Sequence, residues 1–88
     1  NPSLEPEFLF EQIELRENLD HLAEVKDLAG LVALLDGFAS KLTAEAQQFG
    51  ECFASGELDL ATRSVYRMQF LNKLQSAAQQ TEEALLDE

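Results

Sequence analysis

His21 and Cys52 are the side chains of widest chemical reach in this chain, and neither stands in the company its chemistry requires. Glu17 and His21, one helical turn apart, could share a surface metal ion. Carboxylate-bridged metal centres in helical bundles, however, draw on inward Glu residues and Glu-x-x-His pairs from two helices. This chain has one His, and the residue three before it is Asn18. An ordinary surface pair is the better reading. Cys52 has Glu51 beside it and no neighbouring base or cation to lower its pKa, so it reads as a structural cysteine, half-buried near the second turn. Carboxylates are plentiful, but charged helix surfaces supply them in pairs as a matter of course. No segment alternates in the strand manner, so no Gly-rich phosphate loop follows a strand. No catalytic, metal or cofactor site is expected, and the chain does not read as an enzyme.

The chemistry that the spacing does support is recognition between surfaces. In Phe8-Leu9-Phe10-Glu11-Gln12-Ile13-Glu14-Leu15-Arg16-Glu17-Asn18-Leu19-Asp20, apolar residues occupy opposite faces of one helix. Phe8, Leu15, Leu19 and Leu22 share a narrow stripe, which is a core face. Leu9 and Ile13 fall on the far side with Phe10 nearby, and Glu17, Asp20 and Glu24 continue that line. A small domain gains nothing by holding Leu9, Phe10 and Ile13 in water, so this second face asks for a partner. Phe70, in the third helical segment, also points well away from the Val65–Met68–Leu71 stripe. Alone it reads better as a flank residue half covered by a neighbouring helix, but beside the outward patch of the first helix it is expected to join one surface with it.

Charge narrows the partner. Seventeen acids against six bases give a net charge of −11, which argues against nucleic acid and anionic membranes. Eight of the acids fall in the first 27 residues (Glu5, Glu7, Glu11, Glu14, Glu17, Asp20, Glu24 and Asp27), opposed only by Arg16 and Lys26. A solubilising surface would explain that excess, but its overlap with the apolar patch favours docking of a basic partner. Cys52 is alone, which fits a reducing compartment. No apolar run approaches the ~18 residues of a membrane span, no signal sequence opens the chain, and a first residue of Asn fits a fragment.

The elements that must position these residues are helical. Eighty-eight residues make one domain (1–88), rich in Leu, Ala, Glu and Gln and with only four Gly and two Pro. The first helix opens at Pro6, with Glu5 and Glu7 favourable at its positive end, and runs to about Val25. Asp27 is the expected N-cap of the second, which begins at Leu28 and carries the seam Leu31, Leu35, Phe38, Leu42, Ala46, Phe49 and Phe53. Gly30, Gly37 and Gly50 sit in or near that helix and either permit close contact or are simply tolerated, each at about 1 kcal/mol against Ala. Ser55-Gly56 ends it. The third helix starts between Glu57 and Asp59, turns Val65, Met68, Leu71, Ala78 and Leu85 inward, and reaches nearly to the C-terminus. The expected fold is an all-α antiparallel three-helix bundle, elongated or bent into an L where one helix overhangs.

The first-helix segment quoted above, with Phe70-Leu71-Asn72-Lys73-Leu74 and Glu82-Glu83-Ala84-Leu85-Leu86-Asp87, resembles the C-terminal domain of HscB, the J-protein co-chaperone of bacterial iron–sulfur cluster assembly. The resemblance runs from Phe8 to Glu88 and is most specific at both ends; through the second helix only the apolar spacing is shared. It implies a division of labour. An N-terminal J domain with a His-Pro-Asp motif stimulates the ATPase of the chaperone HscA, while the three-helix domain binds the cluster scaffold IscU and delivers it. No His-Pro-Asp occurs here, so the resemblance implies the scaffold-binding half, acting in the bacterial cytoplasm and reaching HscA mainly through the missing J domain. The family's scaffold-binding patch falls on Leu9, Phe10, Ile13 and Phe70, with acidic neighbours Glu14 and Glu17. One departure is His21, which stands where an acid can occupy the next turn and softens the negative stripe.

Such a patch works by two means. Acids attract a basic scaffold surface and speed encounter, while the desolvated apolar side chains supply most of the affinity of a small, reversible interface. The main rival is a helical self-association module with Leu9, Ile13 and Phe70 buried in a homodimer. Acids clustered beside the patch oppose close self-contact, so a monomer is expected.

Overall fold

A computed structural model, which describes residues 6–88, consists of three helices: α1 (Pro6–Glu24), α2 (Leu28–Ala54) and α3 (Leu58–Leu86). Glu5, expected beside the first turn, lies outside the described residues. Phe8 meets Phe70 near the start of α1, and Lys26 meets Glu88 just past its end. So α1 runs alongside the C-terminal part of α3 in the same direction, with α2 antiparallel to both. This is the three-helix bundle that the spacing predicts. Its body is elongated, 49 × 22 × 14 Å. Helices α2 and α3 form the main pair, and the shorter α1 rests on both. Since α1 begins near Arg67, the α2–α3 hairpin projects past it.

Both turns close in the same way. At the end of α1, Lys26 adopts φ 56°; its N–H donates to the Ala23 carbonyl at 3.3 Å and that of Asp27 to the Leu22 carbonyl at 3.0 Å. At the end of α2, Gly56 adopts φ 79°; its N–H donates to Phe53 at 3.2 Å and that of Glu57 to Cys52 at 2.8 Å. Each is the paired closure of a helix around one left-handed residue. Glycine takes that conformation freely, whereas lysine takes it against the steric preference of its Cβ. Asp27 then caps α2, its Oδ1 accepting from the Gly30 N–H at 2.9 Å. Gly30 is a close-approach glycine: a Cβ there would lie 2.7 Å from both the Leu22 side chain and Asp27 Oδ2. Gly37 and Gly50 face open space and are merely tolerated.

The core runs through all three helices. Phe8 and Leu19 of α1, Leu31 and Phe38 of α2, and Phe70, Leu71, Leu74 and Ala78 of α3 are buried, with Leu15, Leu22, Leu35, Leu42 and Leu85 packed against them. The expected α2 seam holds from Leu31 to Leu42 and then fails at its far end. Ala46 is exposed, and Phe53 is 62 % exposed and stacks on Phe49 with ring centroids 5.8 Å apart. Among the described residues α1 does not reach that level, so α3 alone covers α2 there and one side of the seam meets solvent. Cys52 takes the inward position instead and is fully buried rather than half-buried, with its Sγ accepting from Gln48 Nε2 at 3.3 Å.

Candidate partner-binding face

The rotation of α1 about its own axis decides what it offers to solvent, and two contacts fix that rotation. The Phe8 ring meets Phe70 edge-on, with centroids 4.8 Å apart and planes at 79°. Beside it Arg67 joins all three helices. Its Nη2 donates to both carboxylate oxygens of Glu11 at 2.8 Å, its Nε donates to Glu45 Oε1 at 2.7 Å, and its guanidinium lies 5.8 Å from the centroid of the Phe8 ring. Burial works against the Arg67 charge, but hydrogen bonds to Glu45 and Glu11 outweigh it and hold the group above its ordinary pKa. Glu11 is therefore committed inward and takes no part in the outer surface.

With α1 so held, the apolar residues on its other side stand in water. Leu9 is 41 % exposed, Phe10 65 % and Ile13 53 %, and Glu14 and Glu17 are exposed on the same outer surface. His21 continues it, also exposed. These positions belong to one continuous patch because they recur at steps of one, three and four along a helix.

Phe70 departs from the outward placement expected of it. It is 8 % exposed and belongs to the core. The reason lies in the architecture: α3 has two helices to pack against, so it needs two inward sides. Val65, Met68 and Leu71 make one stripe, and Phe70, off that stripe, serves the side toward α1. Its ring still lines a shallow groove of about 220 Å³ between α1 and α3, together with Gln12, Arg16, Lys73 and Leu74.

Two features escape sequence reasoning. The Glu11–Arg67–Glu45 clamp links residues 56 and 22 positions apart, and no local pattern announces such a pairing. The groove beside Phe70 likewise exists only once α1 and α3 are side by side. The far end of the hairpin adds a second exposed apolar region, with Phe53, Leu58, Leu60 and Tyr66 open to solvent. Among the described residues no His, Cys, Asp and Glu side chains gather as a metal site, and no helix is long and apolar enough to cross a membrane.

No solved structure matches the chain. The family model described as the HSCB C-terminal oligomerisation domain matches residues 4–79. That span includes all of α1 and α2 and α3 as far as Gln79, and so carries both the exposed α1 face and the Phe70 groove. The chain accordingly belongs to the family of HscB C-terminal domains, which are co-chaperones of iron–sulfur cluster assembly.

Proposed function

We propose that this domain binds the iron–sulfur cluster scaffold IscU through the outer face of α1 and presents it to the chaperone HscA. The observation that supports the reading is the exposure of Leu9, Phe10 and Ile13 on a helix whose opposite side is locked into the core. Such side chains lose their contact with water only when a partner covers them, and in doing so supply affinity. Glu14 and Glu17 add steering toward a basic surface rather than strength. Phe70 contributes from beneath, as the floor of the adjoining groove. Three side chains of this kind make a small interface, suited to a scaffold that must be released again. HscA is engaged through a J domain, and the 88 residues act as one scaffold-binding unit, monomeric and in the bacterial cytoplasm.

Calorimetry of the domain with purified IscU, alongside Leu9→Ala and Ile13→Ala, tests this. Both substitutions should weaken binding by about 1–3 kcal/mol while leaving the melting temperature unchanged. Binding indifferent to both would remove the α1 face as the docking site. A second reading, self-association, draws on the word oligomerisation in the family description and on the exposed Phe53, Leu58 and Leu60. Sedimentation at micromolar and millimolar concentration separates the two, since a monomer throughout is incompatible with self-association.

A further inference from the structure

The lining of the groove between α1 and α3 carries two cations and no acid. Phe70 and Leu74, each 8 % exposed, make its floor, and Gln12, Arg16 and Lys73 stand around it. It adjoins the outer face of α1 directly. Gln12 and Arg16 follow Leu9 and Ile13 by three residues each and so form the neighbouring row on the same helix surface.

The chain has six Lys and Arg residues among seventeen acids, and two of the six stand at this groove. Elsewhere Lys26 is tied to Glu88 at 2.7 Å, Arg67 is held by Glu11 and Glu45, Arg63 is engaged, and Lys41 stands exposed on α2, outside this groove. Among the described residues Arg16 reaches only Asp20, at 3.2 Å, in a one-turn pair whose side chains are 57 % and 62 % exposed. A pair so open to water holds its members weakly. Lys73 is exposed and forms no ion pair among the described residues. Two available cations thus frame an apolar floor on a domain whose outer face is acidic.

We propose that this groove receives an apolar side chain of the docked partner protein with a carboxylate beside it, the carboxylate lying between Arg16 and Lys73. The inference rests on the reading of Leu9, Phe10 and Ile13 as the docking face, and extends it. The partner must then be basic where it meets Glu14 and Glu17 and acidic where it meets the groove. A pattern of two signs fixes how the partner is turned, which a uniformly acidic face could not do.

Calorimetry with purified IscU on Lys73→Glu, Arg16→Glu and Lys73→Arg tests it, because the sign of the effect is diagnostic. If the groove is idle, each Glu variant adds negative charge to a domain that attracts a basic partner, and binding stays level or tightens. If the groove holds a carboxylate, Lys73→Glu and Arg16→Glu weaken binding roughly three- to fivefold, and Lys73→Arg retains it. Both positions are exposed, so the variants keep the fold, which circular dichroism verifies. Leu9→Ala, run in parallel, reports on the docking face itself. Weakening by Leu9→Ala with unchanged or tighter binding by the two Glu variants overturns the groove and leaves the face standing. Absence of binding by the unsubstituted domain overturns both. A wild-type dimer in sedimentation that Lys73→Glu dissociates would assign the groove to the acids of a second copy, and would overturn the proposal as well.

Discussion

Phe8, Leu9 and Phe10 are consecutive apolar residues, and their exposures are 5 %, 41 % and 65 %. One turn of a single helix thus holds a core residue and two surface residues of the same chemical type. The comparison separates what holds the fold from what the fold holds out. On the inner side of α1, Phe8 and Leu19 are buried against α2 and α3, and Glu11 is clamped by Arg67. On the outer side, Leu9, Phe10 and Ile13 are only partly covered by their own chain, Phe10 least, and stabilise it less than the buried set. Position around the helix, not residue type, decides which role a side chain takes.

Substitution at neighbouring positions gives the sharpest test of that contrast. Phe8→Ala should destabilise the domain by about 3–5 kcal/mol, the usual cost of emptying a buried aromatic site. Phe70→Ala should cost a comparable amount, because its ring fills the same site from α3. Phe10→Ala, two residues from Phe8, should stay within about 0.5 kcal/mol of the parent in chemical denaturation. Equal losses at Phe8 and Phe10 would dissolve the distinction between the two sides.

Next in size is the clamp. Arg67→Ala leaves two partly buried carboxylates without their donor and should cost about 1.5–3 kcal/mol. Arg67→Lys should recover only part of that, since an ammonium cannot reproduce the forked contact to Glu11 and Glu45. Thermal melts of the two variants check the order. On the outer side, higher salt should slow association with the scaffold more than dissociation, and stopped-flow kinetics would show it. An association rate indifferent to salt would remove steering by Glu14 and Glu17.

The smallest effects come from the glycines of α2, with opposite signs. Gly37→Ala, into open space, should gain about 0.5–1 kcal/mol from helix propensity. Gly30→Ala meets Leu22 and the capping Asp27 at 2.7 Å and should lose stability instead. Equilibrium unfolding of the pair checks both signs at once.

Much of this was legible in the residues. Apolar steps of three and four mark each helix, Asp27 marks the start of α2, and Ser55-Gly56 marks its end. Leu9, Phe10 and Ile13 were legible for one reason: a helix apolar on opposite sides announces a second face. What stayed hidden depends on neighbours. Lys26 in a left-handed conformation is invisible because lysine is no signal for it. Phe70 could not be assigned from α3 alone, since the periodicity of one helix does not tell whether a neighbour lies on one side or two. Phe53 fits a seam whose third wall, among the described residues, does not reach it.

The Arg67 clamp carries one more consequence. A helix greasy on both sides could be seated in the bundle in either of two azimuths. Rolled by about 100°, one residue step, α1 would offer Leu9 and Ile13 to the core and turn Phe8 outward. In the first turn, where Phe8 and Leu9 compete, hydrophobic burial distinguishes such seatings poorly. Further along, Leu15, Leu19 and Leu22 favour the observed one over burial of Asp20 and Glu24. Only one of them leaves Glu11 under Arg67, while the other swings that carboxylate into solvent. The ion triad therefore acts as a key in a shaft: at the start of α1 it reinforces the seating that keeps Phe8 inside and Leu9, Phe10 and Ile13 outside.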